Sequence, residues 1–569
     1  MSENHYPWEK YYGSVPATLT YPDSTMTELV ADAAKHYPTY TAFDFMGKST
    51  DYQTMLEEIH LCAKSFCALG IKPGDKVTLC MPNVPQTVIC FYALNLIGAI
   101  PNMIHPLSSE GEITFFLKDS ESVAAVTLDQ FYPKFESIRK EVDLPHLIIT
   151  SIGDALGAVM KIGFALTKGR KIAPIPADAD IVRWKSFLKL GEAYIGSYKH
   201  EGHADDVAVI LYSGGTTGTT KGICLSNKNF NALALQTAAM SVTCKPGQSM
   251  LAVMPMFHGF GLGVCIHTML VAGCRCILVP QFNAQSYAEL LRKKRPNYIA
   301  GVPTLYEAIL RNPDMEGVDL SCLMGVFSGG DSLSIELKKK FDQFLREHNA
   351  KIQIREGYGT TECVTASCLT PYDSFREGSI GIPFPDTLYK IVKPGTTEDV
   401  PYGTEGEICI NGPTVMLGYA NQPEETANTL KTHADGKIWL HTGDLGIMDP
   451  DGFVYYRQRI KRMIISSGYN IYPSNLENII DAHPLVHMSC VIGVPDSYKM
   501  QKVKAFVVLK PGTKASEEVR ESLFAHCRKN IAKYAMPYDI EIREQLPKTL
   551  VGKVAYRELE KEELAASGS

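Results

Sequence analysis

The chain has 569 residues, 45% of them hydrophobic and 21% charged, with a net charge of −6 and a pI near 6.2. That length allows two or more domains with a sizeable core, the composition is ordinary for a globular protein, and the acidic balance leaves no basic footprint for nucleic acid. Fifteen cysteines are scattered without paired C-x-x-C clusters of zinc spacing, so reduced thiols and a cytoplasmic location are expected.

Met1 to Lys10 is polar and no apolar core follows, which argues against a signal peptide. Thr25 to His36 and Asp51 to Leu69 read as helices. A turn at Lys72-Pro73-Gly74-Asp75 leads to a strand over Lys76 to Cys80. Alternation of this kind predicts α/β layers. Val88 to Ile104 is largely apolar, and Gln248 to Gly273 contains no Lys, Arg, Asp or Glu. Pro101, Pro255, Gly259 and Gly261 interrupt these stretches, so buried core is expected rather than membrane spans. Ile152 to Thr167 is apolar with interspersed glycines and precedes the basic run Lys168-Gly169-Arg170-Lys171. A solvated surface excursion is expected there, with peripheral membrane contact through an amphipathic helix as the alternative.

The segment Tyr212-Ser213-Gly214-Gly215-Thr216-Thr217-Gly218-Thr219-Thr220-Lys221-Gly222 holds four glycines, four threonines and one lysine. Glycine admits positive φ and lets backbone N–H groups approach an anion, the hydroxyls add donors, and Lys221 adds a mobile charge. The pattern predicts a loop that wraps phosphates. It is not a Walker-type loop, which needs glycine before the lysine and Ser or Thr after it. A strand over Val207 to Leu211 leads in, a short strand over Ile223 to Leu225 leads out, and Ser226 or Asn227 is expected to cap a helix. The loop is therefore expected to connect strand to strand.

A boundary is expected near Arg459 to Lys461, giving domains over 1–460 and 461–569. The second contains a short helix from Ser474, a strand over Lys504 to Leu509 and a helix after Ser516. Glu517 and Glu518 in that helix's first turn, and Arg528, Lys529 and Lys533 near its end, complement its dipole. The fold class expected is α/β: a large multi-layer N-terminal domain and a smaller, mobile C-terminal α/β domain.

Four further motifs follow the loop: Gly357-Tyr358-Gly359-Thr360-Thr361-Glu362, His441-Thr442-Gly443-Asp444, Arg457-Gln458-Arg459-Ile460-Lys461 leading to Gly468, and Pro547-Lys548-Thr549-Leu550-Val551-Gly552-Lys553. With the loop, their order and spacing resemble the adenylate-forming superfamily of acyl-CoA synthetases, luciferases and peptide-synthetase adenylation domains, across nearly the whole chain. The resemblance implies attack of a carboxylate on the α-phosphate of ATP, which brings two anions together and calls for positioned donors, cations and a metal. It implies that Ser213, Gly214, Gly215, Thr216, Thr217, Gly218, Thr219 and Lys221 hold the β- and γ-phosphates. Tyr358 would stack on adenine beside Gly330, Asp331, Gly359 and Thr360, and Thr361 would contact the α-phosphate. Glu362 would hold Mg²⁺, and Asp444 and Arg459 would meet the ribose. Lys553 would bridge carboxylate and α-phosphate, and Lys461 would be the hinge for a rotation that opens a thiol tunnel.

Four places depart from the family pattern. Gly214 stands where a hydroxyl residue is usual, and Thr220 replaces a proline before the lysine. Gly329-Gly330-Asp331-Ser332-Leu333 replaces Gly-Gly-Ala-Pro-Leu, and Gln458 replaces aspartate or glycine. Met254-Pro255-Met256-Phe257-His258-Gly259-Phe260-Gly261-Leu262 resembles the acyl-pocket wall, with His258 where acyl- and aryl-CoA synthetases often carry histidine. Phe257-His258 offers no carboxylate to pair with a substrate amine, which argues against amino acids. The leader, Tyr6-Pro7-Trp8 and Tyr11-Tyr12, is similar to that of long-chain fatty acyl-CoA ligases. A medium- or long-chain fatty acid, ATP and CoA are the expected substrates. An aryl acid, a carrier-protein acceptor, a luciferase-like oxidation and a non-catalytic nucleotide-binding protein are the alternatives.

Overall fold

Local capping sets the first elements. Thr25 caps the helix Met26–His36: its hydroxyl accepts from Glu28 N at 3.2 Å while Glu28 accepts from Thr25 N at 2.8 Å. Asp51 caps Tyr52–Ala68 in the same position. Ser226 caps Asn227–Ser241, with Asn229 returning the bond. The computed structural model describes residues 6–177, 179–212, 220–466, 469–496, 499–549 and 553–567.

Among the described residues the strands form four sheets. In the first, Ile100–Met103, Lys76–Cys80, Ser122–Leu128, His146–Thr150 and Val182–Arg183 pair in parallel with Val207–Tyr212 on one flank. Gly222–Ser226 then pairs antiparallel with Val207–Tyr212, so the glycine-threonine segment joins strand to strand as expected. In the second, Arg275–Leu278, Ser249–Ala252, Tyr298–Gly301, Gly325–Ser328 and Ile354–Tyr358 form a parallel run. The first four are almost wholly buried and mostly apolar, as burial on both faces requires, whereas Ile354–Tyr358 carries Arg355 and Glu356 and is only partly buried. The third is an antiparallel sheet of Leu388–Val392, Gly406–Asn411, Ile438–Met448, Leu430–Thr432 and Val454–Arg459.

The fourth belongs to the C-terminal part: Tyr469–Ile471, Ile464–Ser466, Met500–Leu509, Val486–Asp496 and Asp539–Arg543. Its central strand alternates. Val503, Ala505 and Val507 enter a core with Leu476, Ile480, Leu523 and Cys527 of the helices Pro473–Asp481 and Glu517–Asn530. Phe506 and Val508 face the opposite side, with Leu546 and Leu559. A large N-terminal α/β domain and a smaller C-terminal α/β domain therefore have separate cores.

The apolar stretch from Val88 is the buried helix Pro85–Leu96, packed on Tyr52–Ala68 and Met26–His36. No helix among the described residues is long and apolar enough to cross a membrane. Ile152 to Thr167 forms the short helices Ile152–Ala155 and Ala158–Leu166, the second without a buried residue. All fifteen cysteines are free thiols, most of them buried.

Candidate active site

Adjacent parallel strands deliver two of the expected motifs side by side. Gly325–Ser328 and Ile354–Tyr358 are in register from Val326 against Ile354 to Ser328 against Glu356. Gly329-Gly330-Asp331 and Gly359 to Glu362 therefore leave the sheet together at its carboxyl end, where open α/β sheets bind ligands. A Cβ on Gly359 would lie 2.6 Å from the Thr365 carbonyl carbon, so only glycine admits this backbone approach.

The ribose pair expected from sequence is built by strand register. Ile438–Met448 and Val454–Arg459 place Asp444 directly opposite Arg459, and Arg459 Nε lies 2.9 Å from Asp444 Oδ1. The Tyr358 hydroxyl donates to Asp444 Oδ2 at 2.5 Å. Asp444 is only 1% exposed, and burial pushes its pKa above the ordinary carboxylate value against the pull of Arg459. Asp444 in turn holds the Arg459 guanidinium firmly charged. The Arg459 approach lacks hydrogen-bond alignment, so Oδ1 is a buried acceptor with capacity left for a ligand.

Lys553 comes from the C-terminal domain onto the same surface. Its Cε lies 3.7 Å from where a Cβ on Gly330 would stand, and Gly330 has φ +81°. The turn is closed by Thr549 N donating to Lys553 O at 2.7 Å and Lys553 N donating to Thr549 Oγ1 at 3.1 Å. Burial pushes the Lys553 amine below its ordinary pKa. Asp331, Asp444 and Glu362 favour its charge, and Arg459 opposes it. The exposed Asp331 that departs from the family pattern is thus the strongest of these favourable neighbours.

Glu362 and Thr361 are half-buried in the turn after Tyr358. Tyr419 Oη donates to Glu362 Oε1 at 2.9 Å, and Lys221 Nζ lies over the Tyr419 ring at 4.6 Å while pairing with Glu425. Lys461 is exposed in the turn Ile460–Arg462, and its charge also acts on Glu425. Ser213 to Thr219 and Leu550 to Gly552 lie outside the described residues. Tyr419 and Glu425 are residues that no motif pointed to. Both follow the Gly418–Tyr419 pairing with Gly222–Ser226, a long-range contact without local signal.

The expected acyl wall leads into a π-helix, Phe260–His267, a widened turn common at functional sites. A Cβ on Gly261 would lie 2.1 Å from the Pro255 carbonyl oxygen, which is why the wall can fold back on itself. His258 Nδ1 accepts from Phe260 N at 3.2 Å, so the neutral ring carries its proton on Nε2. Burial and the Lys553 charge hold its pKa down to about 3. Val364 and Thr365, at φ 54° and 65°, are β-branched residues in the left-handed region beside Gly259. Such backbone strain gathers at ligand clamps. Glu307 on Pro303–Leu310 meets His487 of the C-terminal domain at 3.1 Å, a second interdomain contact beside Lys553.

The AMP-binding enzyme family matches residues 30–420, and the AMP-binding enzyme C-terminal domain matches residues 475–553. A long-chain-fatty-acid–CoA ligase of Bacillus subtilis (strain 168) is 35% identical over 564 residues, covering 98% of each chain. A long-chain-fatty-acid–CoA ligase of Salmonella typhimurium is 32% identical over 567 residues, covering 97% of each. The ATP-bound RpMatB–BxBclM chimera B1 superposes with a TM-score of 0.83 at 25% identity, over 95% of this chain and 99% of the other. The chain belongs to the AMP-binding enzyme family, as an adenylate-forming ligase of the acyl-CoA synthetase superfamily. It binds ATP and activates an acid through an acyl-adenylate.

Proposed function

We propose that this ligase is an AMP-forming acyl-CoA ligase for medium- or long-chain fatty acids. The observation that carries the adenylation half is Lys553 beside Gly330, 3.7 Å from that glycine's Cβ position, on the surface shared with Asp444, Arg459 and Glu362. In that position Lys553 bridges the acid carboxylate and the α-phosphate as they meet. Burial lowers its pKa from the ordinary lysine value, and the neighbouring carboxylates offset part of that desolvation. Asp444 and Arg459 hold the ribose, Tyr358 and Gly330 flank the adenine, and Thr361 reaches the α-phosphate. Lys221 leaves Glu425 for the β- and γ-phosphates.

Glu362 is a fitting ligand for Mg²⁺. Its carboxylate is a hard oxygen donor, Tyr419 fixes Oε1, and Oε2 has no hydrogen-bond partner among the described residues. Bound there, the ion offsets negative charge on the phosphates. His258, neutral with its proton on Nε2, is positioned to donate to the acid or its adenylate without repelling Lys553. Lys461 is the pivot that withdraws Lys553 for thioester formation with CoA. The chain length of the substrate rests on the long-chain relatives and on the apolar wall Met254 to Leu262.

Release of AMP from ATP and Mg²⁺ tests this reading, with and without CoA, over fatty and aromatic acids. Turnover that needs a fatty acid and CoA is expected. Preference for aromatic acids, or acid-dependent pyrophosphate release indifferent to CoA, overturns it.

Membrane contact is a second reading, favoured by one element. Val159, Ile162 and Leu166 on Ala158–Leu166 are 83%, 63% and 64% exposed, and Lys168, Arg170 and Lys171 follow. Apolar and basic residues together suit an anionic lipid surface. Co-sedimentation with anionic vesicles, lost in Val159→Asp/Ile162→Asp, is expected; equal binding by the variant refutes it. The free thiols are consistent with a cytoplasmic location.

A further inference from the structure

Behind the Asp444 turn, the antiparallel sheet brings three ligand-type side chains together on one face. Cys409 of Gly406–Asn411 and His441 of Ile438–Met448 are directly paired across the strands. His433 follows Leu430–Thr432 in the hairpin that returns to Ile438, where its N–H donates to Lys437 O at 3.0 Å. Cys409, His433 and His441 are 0%, 5% and 8% exposed. One potential ligand atom of each lies within 4.8 Å of the others.

The chemistry of each side chain points the same way. Glu407, two residues before Cys409 and on the same face, accepts from His441 Nδ1–H at 2.9 Å and from Gly443 N–H at 3.0 Å. That bond places the His441 lone pair on Nε2, the carboxylate–histidine arrangement that orients metal-binding imidazoles. His441 Nε2 faces His433 Nε2 at 2.9 Å. A hydrogen bond between the two rings would account for that contact alone. It leaves the Cys409 thiol, fully buried beside the rings, unused. Nitrogen and sulfur at about 2.0–2.3 Å from a tetrahedral ion lie roughly 3.3–3.7 Å apart, so shifts of a few tenths of an ångström in the ring contact accommodate the ion. Lys390, across from Cys409, is held by Asp399 at 3.0 Å and lies over the Trp439 ring.

We propose that Cys409, His433 and His441 bind one zinc-class divalent cation, with Glu407 as the positioning residue. Cys409 binds as the thiolate and releases its proton, and water completes the coordination. One thiolate and two imidazoles select zinc over Mg²⁺. The ion joins two strands and the hairpin between Thr432 and Ile438 immediately before Thr442-Gly443-Asp444, so it fixes the turn that presents the nucleotide aspartate. The role is separate from catalysis.

The test uses the full chain with Co²⁺ as spectroscopic probe and Zn²⁺ in competition against a chromophoric chelator, neither of which depends on turnover. One ion per chain is expected, with a thiolate-to-cobalt charge-transfer band and tetrahedral visible bands. Cys409→Ser should abolish the charge-transfer band. Glu407→Gln should weaken Zn²⁺ binding about 10- to 100-fold, and His433→Gln should weaken it further. Zn²⁺ should raise the melting temperature of the parent and not of Cys409→Ser; circular dichroism checks that each variant is folded. A charge-transfer band that survives in Cys409→Ser would place the ion on other thiols and overturn the proposal. So would Zn²⁺ affinity unchanged in His433→Gln, or the absence of any bound ion in the parent.

Discussion

Replacing Asp444 with asparagine should separate nucleotide recognition from stability. One carboxylate oxygen accepts from Tyr358 at 2.5 Å, and the other faces Arg459 at 2.9 Å with accepting capacity to spare. The amide keeps the size and one acceptor but loses the charge. A hydrogen bond to a charged acceptor contributes about 1.5–3 kcal/mol, and each 1.4 kcal/mol is about tenfold, so ATP affinity should fall roughly 10- to 150-fold. Stability should change little. Burial raises the Asp444 pKa above 3.8, so the folded state holds this proton more tightly than the unfolded state. That contribution is fully present below pH 3.8 and is lost as pH rises through the folded value, so it does not reward the ionised carboxylate. The upward shift of Arg459 points the other way. Arginine is charged in both states throughout this range, however, and its shift moves no stability there. With Asp444 gone, the Arg459 side chain, 39% exposed, is covered by water, which limits the change to about 1 kcal/mol. Calorimetric ATP titration and thermal melting read the two effects. Undiminished ATP affinity in a folded variant, or collapse of the fold alongside lost affinity, would refute this account of Asp444.

Other perturbations probe the rest of the site. Lys553→Ala should cut acid-dependent pyrophosphate release by about 10²–10³-fold, the usual cost of removing one transition-state donor, while ATP still binds; a calorimetric loss of ATP binding would assign Lys553 elsewhere. Gly261→Ala should destabilise the N-terminal domain by about 1–3 kcal/mol or more, because its Cβ meets backbone 2.1 Å away; chemical denaturation checks this. Glu307 is pushed up to about 7 by burial, partly countered by Arg311, Lys548 and Lys340, and it contacts His487. Its contribution is fully present below the ordinary value of 4.5 and is lost as pH rises through about 7. If the C-terminal domain supplies that burial, interdomain energy transfer between fluorophores should drop through pH 7 in the parent and not in Glu307→Gln. Identical pH profiles would exclude Glu307 as the group responsible.

Local chemistry determined much of this protein. Thr25, Asp51, Ser226 and Ser516 start their helices because a side-chain oxygen three residues before a backbone N–H closes the cap without tertiary help. The strands flanking the glycine-threonine segment and the order of the nucleotide motifs were legible for the same reason: each lies within a short stretch. Strand register decided what those stretches do together. It set Asp444 opposite Arg459, with the Tyr358 hydroxyl in reach, and it brought Cys409 to His441, residues whose separation in sequence matches no metal spacing. The pairing of Lys221 with Glu425, the π-helix after Gly259 and the Glu307–His487 contact were equally invisible in the chain. They arise where separate strands and domains meet, and a linear sequence does not state which of its distant residues share one small volume.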